Sequence, residues 1–148
     1  MKMTNGILVN LLNTLGSYSE YKLPQKIGYA ITRNMMVIQK EYAVYEKQMK
    51  KIFENFKEYT LKDDDGNLLF EENGLPKIEQ DHLSDFIKEM NELLSIEVDI
   101  ELYHVDESVF DFEDSVRFDP LSPNDIMILQ SILCKQSTWL IERKKCHA

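Results

Sequence analysis

Apolar positions recur at helical spacing in four stretches of the chain and at strand spacing in one. The first stretch is residues 5–19, where Ile7, Leu8, Leu11, Leu12 and Leu15 form one stripe. Asn5 is placed to cap it, and Gly16, Ser17 and Ser19 break it. Leu23-Pro24 opens the second, because proline suits the first turn of a helix. From Pro24 to Lys57, Ile27, Ile31, Met35, Ile38, Tyr42, Tyr45, Met49, Ile52 and Phe56 follow one another in steps of three or four. This is close to a heptad seam. A helix of that length would run roughly 50 Å at about 1.5 Å per residue, far beyond the usual three turns. Such a helix is expected to project or to pack on a second copy of the chain. Met35, Ile38, Tyr42, Tyr45, Met49, Ile52 and Phe56 are then the self-association residues. Packing inside the chain, in a hairpin with the first helix, is the alternative. Tyrosine at two seam positions argues against a simple two-stranded coil.

Residues 59–79 change character. Asp65-Gly66 and Asn73-Gly74, eight residues apart, are hairpin signals, since both central residues of a type I′ turn need positive φ. The short runs around them, Tyr59–Lys62, Asn67–Glu71 and Leu75–Ile78, predict a small β-meander. Asp81 is placed to cap a third helix to about Leu94, with Leu83, Phe86, Ile87, Met90, Leu93 and Leu94 on its apolar face. Residues 96–105 alternate: Ile96, Val98, Ile100 and Leu102 on one side, Glu97, Asp99, Glu101 and Tyr103 on the other. That predicts a strand with one buried and one wet face. The acidic, aromatic segment 106–121 is expected to carry a second short strand. Ser122-Pro123-Asn124-Asp125 opens the last helix with a capping serine, a first-turn proline and an aspartate three residues after the cap. That helix is expected to run past Trp139, with Arg143, Lys144 and Lys145 complementing its dipole.

These elements predict an α+β fold, predominantly helical: about four helices, one of them long, with a small antiparallel sheet or hairpin. One domain over 1–148 is expected. Its parts would be a helical hairpin over 1–58, an acidic hairpin–helix–strand region over 59–121 and a C-terminal helix over 122–148. No linker, internal repeat or low-complexity tract stands out.

Charge adds an asymmetry. The net charge is −9. Residues 1–60 hold nine Lys/Arg against five Asp/Glu, whereas residues 61–119 hold four against nineteen. An acidic middle argues against direct nucleic-acid binding, which calls for a basic stripe. It suits a basic protein partner, or a solubilising surface. The expected contact residues are Glu97, Asp99, Glu101, Asp106, Glu107, Asp111, Glu113 and Asp114. With 43% hydrophobic residues, the chain can bury a core without disulfides or metal. It shows no signal peptide and no run of about 20 apolar residues for a membrane span. Two cysteines make no framework, so a reducing cytoplasm is the expected compartment.

Candidate chemistry is thin. Asp63-Asp64-Asp65-Gly66 invites a calcium-loop reading, with Glu72 as its last ligand. Leu61 then stands where the first carboxylate belongs, and no second helix follows. A hairpin turn explains the glycine without an ion. Glu97, Asp99 and Glu101 on one strand face could in principle seat a divalent metal, but no lysine lies between Lys88 and Lys135 to complete a nuclease-like set. Like charges on a strand face also protect an edge. Cys134 and Cys146 with His82, His104 and His147 never reach zinc spacing, and Cys134, beside Ile132 and Leu133, reads as a buried thiol. No phosphate loop, HExxH or nucleophile elbow is present. The expectation is therefore no catalytic residue, no cofactor and no metal. Tyr42, Tyr45, Phe53, Phe56 and Tyr59 cluster on and just after the long helix, about half of them expected in the core.

The order of features resembles an uncharacterised family of small proteins encoded by phages and prophages of Gram-positive bacteria. The resemblance rests on Asn5-Gly6, Leu23-Pro24 before a long helix carrying Asn34, the turn Asp65-Gly66-Asn67, the run Leu93–Ile100 and Leu121-Ser122-Pro123-Asn124-Asp125. It implies a phage origin and an accessory role in the host cytoplasm or on the virion. The expected function is non-enzymatic: protein–protein binding, with self-association through the long helix. The alternative is inhibition of a host-defence or nucleic-acid enzyme, in the manner of anti-CRISPR or anti-restriction proteins, through the acidic surface.

Overall fold

Four helices and a two-stranded antiparallel sheet make up the regular structure in a computed structural model that describes residues 1–112 and 117–135. In chain order they are β1 (Lys2–Thr4), α1 (Asn5–Ser17), α2 (Gln25–Asn55), α3 (Gln80–Ser95), β2 (Glu97–Asp99) and α4 (Pro123–Leu133). The fold is α+β and mostly helical, with one long helix. Among the described residues no helix is long and apolar enough to cross a membrane.

The described residues fall into two compact units. One is assembled from Met1, Leu11–Ile38 and the described residues from Ile100 on; the other from Lys2–Asn10 and Gln39–Asp99. α1 and α2 therefore each give one part to each unit.

In the first unit, Leu15, Ile27, Ile31, Ile38, Leu129 and Leu133 are buried almost completely. Ser122 caps α4 as expected. Its Oγ accepts from Asp125 N at 3.1 Å, and Asp125 Oδ2 accepts from Ser122 N at 3.0 Å, a reciprocal capping box. Asp125 Oδ1 also accepts from the Tyr18 hydroxyl at 2.7 Å. One carboxylate thus holds the start of α4 and ties it to the residue after α1. The helix ends at Leu133, with Cys134 buried at its cap. Trp139, Arg143, Lys144, Lys145, Cys146 and His147 lie outside the described residues.

In the second unit β1 pairs with β2, Met3 opposite Val98. The sequence pattern does not predict β1, because three residues give too little alternation to read. The cap of α1 is not Asn5 but Thr4, whose Oγ1 accepts from Ile7 N at 3.3 Å. Asn5 is buried instead. Its N–H donates to Ile96 O and its Nδ2 to Leu93 O, both at 2.9 Å, so it satisfies the end of α3. Ile96, expected on the buried strand face, is 51% exposed, because it caps α3 rather than joining the sheet. Ile87 likewise faces outward. α3 starts at Gln80, and Asp81 lies in its first turn rather than capping it.

Residues 59–79 form a repeat that the sequence hides. Leu61 N donates to Lys77 O, Leu69 N to Leu61 O and Lys77 N to Leu69 O, at 2.8–3.0 Å. These three bonds close a ring with a period of eight residues. The flanking bonds repeat in step: Asp63 N to Asn67 O, Glu71 N to Leu75 O and Glu79 N to Tyr59 O. Gly66 and Gly74 occupy positive φ, but Asp65 and Asn73 do not, so the turns are not the type I′ expected: Gly66 N donates to Asp63 O and Gly74 N to Glu71 O, which puts each glycine at the end of its turn. The Asp63 carboxylate accepts from Asp65 N and Asn67 N, a local cap that explains the acidic run as turn chemistry. Nearby, Phe56, Ile78, Phe86 and Met90 form a buried cluster, with Phe53, Tyr59, Leu75 and Leu83 packed against it.

The α2 seam is consumed by these two cores. Ile38, Tyr45 and Phe56 are buried. Met49 and Ile52 pack on the aromatic cluster. The half-buried Tyr42 lies against Tyr45, ring centroids 5.6 Å apart. Met35, also half-buried, has its methyl group 3.9 Å from the site of a Cβ at Gly16. Of the seven residues expected to join two copies, Ile38, Tyr45 and Phe56 are thus buried within the chain, and Met35, Tyr42, Met49 and Ile52 are half-buried.

The Tyr18–Asp125 bond predicts one abnormal tyrosine. Burial, then the Asp125 acceptor, pushes the Tyr18 phenol from 10.0 up to about 12. Raised above its unfolded value, it contributes stability that is whole below pH ~10 and lost as pH rises through about 12. Burial and Tyr42 also raise the Tyr45 phenol, so absorbance titration of native protein should show more than one late phenol, and Tyr18→Phe should remove the step near pH 12. Unchanged curves in the variant would contradict the assignment.

Candidate functional site

The buried stripe on the first half of α2 leaves an opposite face to solvent. Tyr29 and Arg33 lie there four residues apart, one turn above the other. Arg33 Nη1 donates to the Tyr29 hydroxyl at 3.2 Å. The Arg33 guanidinium carbon also sits 4.8 Å from the Tyr103 ring centroid, a cation–π distance. Tyr29 and Tyr103 meet edge to face at 5.6 Å and 76°. Tyr29 is 54% exposed and Tyr103 37%. Two rings and a guanidinium thus form one ordered, solvent-facing cluster. Beside it runs an open groove of about 530 Å³ lined by Lys26, Tyr29, Tyr103, His104, Val105 and Asp106 among others.

Asn34, the residue after Arg33, holds this arrangement. It is 0% exposed. Its Nδ2 donates to Tyr103 O at 2.9 Å and its Oδ1 accepts from Tyr103 N at 2.7 Å. A side-chain amide thereby replaces the strand neighbour that the alternation of 96–105 would call for. β2 ends at Asp99, while the alternation of exposure runs on to Leu102.

The expected acidic contact residues fall in both units. Glu97 and Asp99 belong to the second unit; Glu101, Asp106, Glu107 and Asp111 belong to the first. All six are exposed, and Glu113 and Asp114 lie outside the described residues. Asp106 acts locally. Its carboxylate accepts from Ser108 N at 2.9 Å at the start of the 3-10 turn Glu107–Phe110, which holds its pKa down. Among the described residues no three His, Cys, Asp or Glu side chains converge as a metal-ligating group.

The sequence pattern does not single out Tyr29, Arg33 or Tyr103 as a cluster. The available signal is the i,i+4 pair on the face opposite the seam, together with one aromatic set among the carboxylates of 97–103. No protein-family model, curated protein or solved structure matches the chain.

Removing the Asn34 amide strands both backbone groups of Tyr103, at about 1–3 kcal/mol each. Asn34→Ala should cost about 2–4 kcal/mol in urea unfolding, discounted because Tyr103 can rehydrate in part. A loss below about 0.5 kcal/mol, typical of an inert surface substitution, would show that the clamp is not formed in solution.

Proposed function

We propose that this chain is a non-enzymatic binding protein that acts by contact with another protein. The observation that carries the reading is the exposed Tyr29–Arg33–Tyr103 cluster. Tyrosine and arginine are the residues most often found to dominate protein interfaces, because they offer large apolar area, fixed geometry and hydrogen bonds together. Here the cluster is pre-organised by a buried clamp, which lowers the entropy cost of association. The exposed carboxylates Glu101, Asp106 and Glu107 of the same unit favour a partner with basic groups. An accessory role in phage infection, acting in the host cytoplasm, is the setting that the family resemblance implies. Inhibition of a host-defence or nucleic-acid enzyme is the second reading, favoured by the net charge of −9.

The test is retention of a stoichiometric partner from Gram-positive host lysate by the tagged chain at low and high salt, with light scattering on the eluate. Tyr29→Ala with Arg33→Ala should reduce retention at least tenfold while leaving the unfolding midpoint within the range of surface substitutions. Loss at high salt in the unmodified chain would support the charged, inhibitory reading. Equal retention by the double variant would remove the cluster from the interface.

A further inference from the structure

Successive side chains of an extended run point to opposite faces. In the second unit Leu68 and Phe70 therefore share one face of their run, while the half-buried Leu69 turns to the other. Pro76 pairs with Phe70 across the Asn73-Gly74 turn and adds to the same face. Leu68 is 41% exposed and Phe70 57%. Phe53, half-buried on α2, joins Leu68, Phe70 and Pro76 in a mainly apolar groove of about 330 Å³. Lys50, Glu54 and Lys57 line its α2 side. Phe70 is also a wall of a second groove, of about 540 Å³, completed by Glu71, Glu72, Asn73 and Lys77.

The two grooves carry opposite signs. The first has two lysines against one glutamate; the second has two glutamates against one lysine. Lys62, paired opposite Leu68, adds a cation on the face of the first. Glu46 bonds Lys50 at 3.0 Å, but the two side chains are 39% and 70% exposed, so that pair is weak and open to exchange. A cationic groove and an anionic groove therefore share one exposed phenylalanine. Such a face is complementary to itself. A two-fold axis along Phe70 lays the cationic groove of one copy against the anionic groove of the other, and does so twice. A two-fold contact uses the same patch on both partners, so both halves of the match must lie on one chain, as they do here. A wholly acidic or wholly basic partner would match one groove and be repelled by the other.

We propose that the chain associates with a second copy of itself through this face. Phe70 of each copy packs against the apolar groove of the other, while Lys50 and Lys57 meet the other copy's Glu71 and Glu72. The exposed phenylalanine supplies the apolar anchor at the centre of the contact, and the charges fix its orientation. The two grooves are small beside a standard interface of about 1,600 Å², so the dimer is weak and depends on concentration. This contact is not the α2 seam, whose residues are buried or half-buried. It belongs to the second unit and the Tyr29–Arg33–Tyr103 cluster to the first, so either can fail without the other.

The test is sedimentation velocity of the full chain from about 1 μM to about 1 mM, the span of weak affinities. Monomer at the low end and dimer at the high end are expected, with the dimer fraction falling as salt is raised. Phe70→Ala should weaken association about tenfold or more, with an unfolding midpoint in the range of surface substitutions. Two charge reversals test the pattern: Lys50→Glu with Lys57→Glu, and Glu71→Lys with Glu72→Lys. Each alone brings like charges together at both halves of the contact and should stay monomeric. Mixed in equal amounts, they bring opposite charges together at both halves, and the mixture should dimerise as the unmodified chain does. An unmodified chain that is monomeric at every concentration would overturn the proposal. So would a mixture that stays monomeric, reversals that dimerise alone, or a Phe70→Ala chain that associates as before.

Discussion

The amide of Asn34 is the interaction on which the first unit depends. It stands on a helix face otherwise built from Ile27, Ala30, Ile31 and Ile38, all buried. A polar side chain in such a place is tolerable only when every group it carries is matched. Tyr103 supplies the match with its own N–H and C=O. The exchange fixes the chain after β2 against α2 at one register. From that register follow the position of the Tyr103 ring against Arg33 and the hydrogen bond from Val105 to Leu133.

The second unit solves a different problem. Its segment 60–79 is too polar and too short in each run to make a stable sheet alone. A closed ring of backbone bonds at Leu61, Leu69 and Lys77 lets each run pair with both others. The aromatic contacts are close: Phe56 and Phe86 meet edge to face at 5.4 Å, and Tyr59 stacks on His82 at 3.6 Å. The third eight-residue segment runs directly into α3, so the ring also sets where that helix begins.

Much of this is legible in sequence, for identifiable reasons. The three-four spacing of α2 and the box Ser122-Pro123-Asn124-Asp125 are local signals, and each element forms where its signal lies. The two glycine turns are legible for the same reason: positive φ is a local demand. What is not legible depends on partners far along the chain. Asn5 reads as a cap because its buried contact with Leu93 is 88 residues away. The alternation of 96–105 reads as one strand because nothing local shows that Asn34, 69 residues earlier, takes the place of a neighbour. The eight-residue ring is hidden because its repeat is in backbone bonds, with only glycine shared between its two turns. The seam of α2 reads as an interface because periodicity tells which residues share a face, not what covers them.

The proposed binding surface combines buried polar geometry, at Asn34, with exposed aromatic geometry, at Tyr29 and Tyr103. Its weakest link is the match between Asn34 and Tyr103, and amide hydrogen exchange at Tyr103 measures it most directly. The account predicts that the Tyr103 amide of the native chain is strongly protected and that Asn34→Ala brings it to the rate of an open loop while core amides of α3 keep their protection. A Tyr103 amide that exchanges freely in the native chain would contradict the account, because the ring of Tyr103 would then have no fixed position from which to build a site.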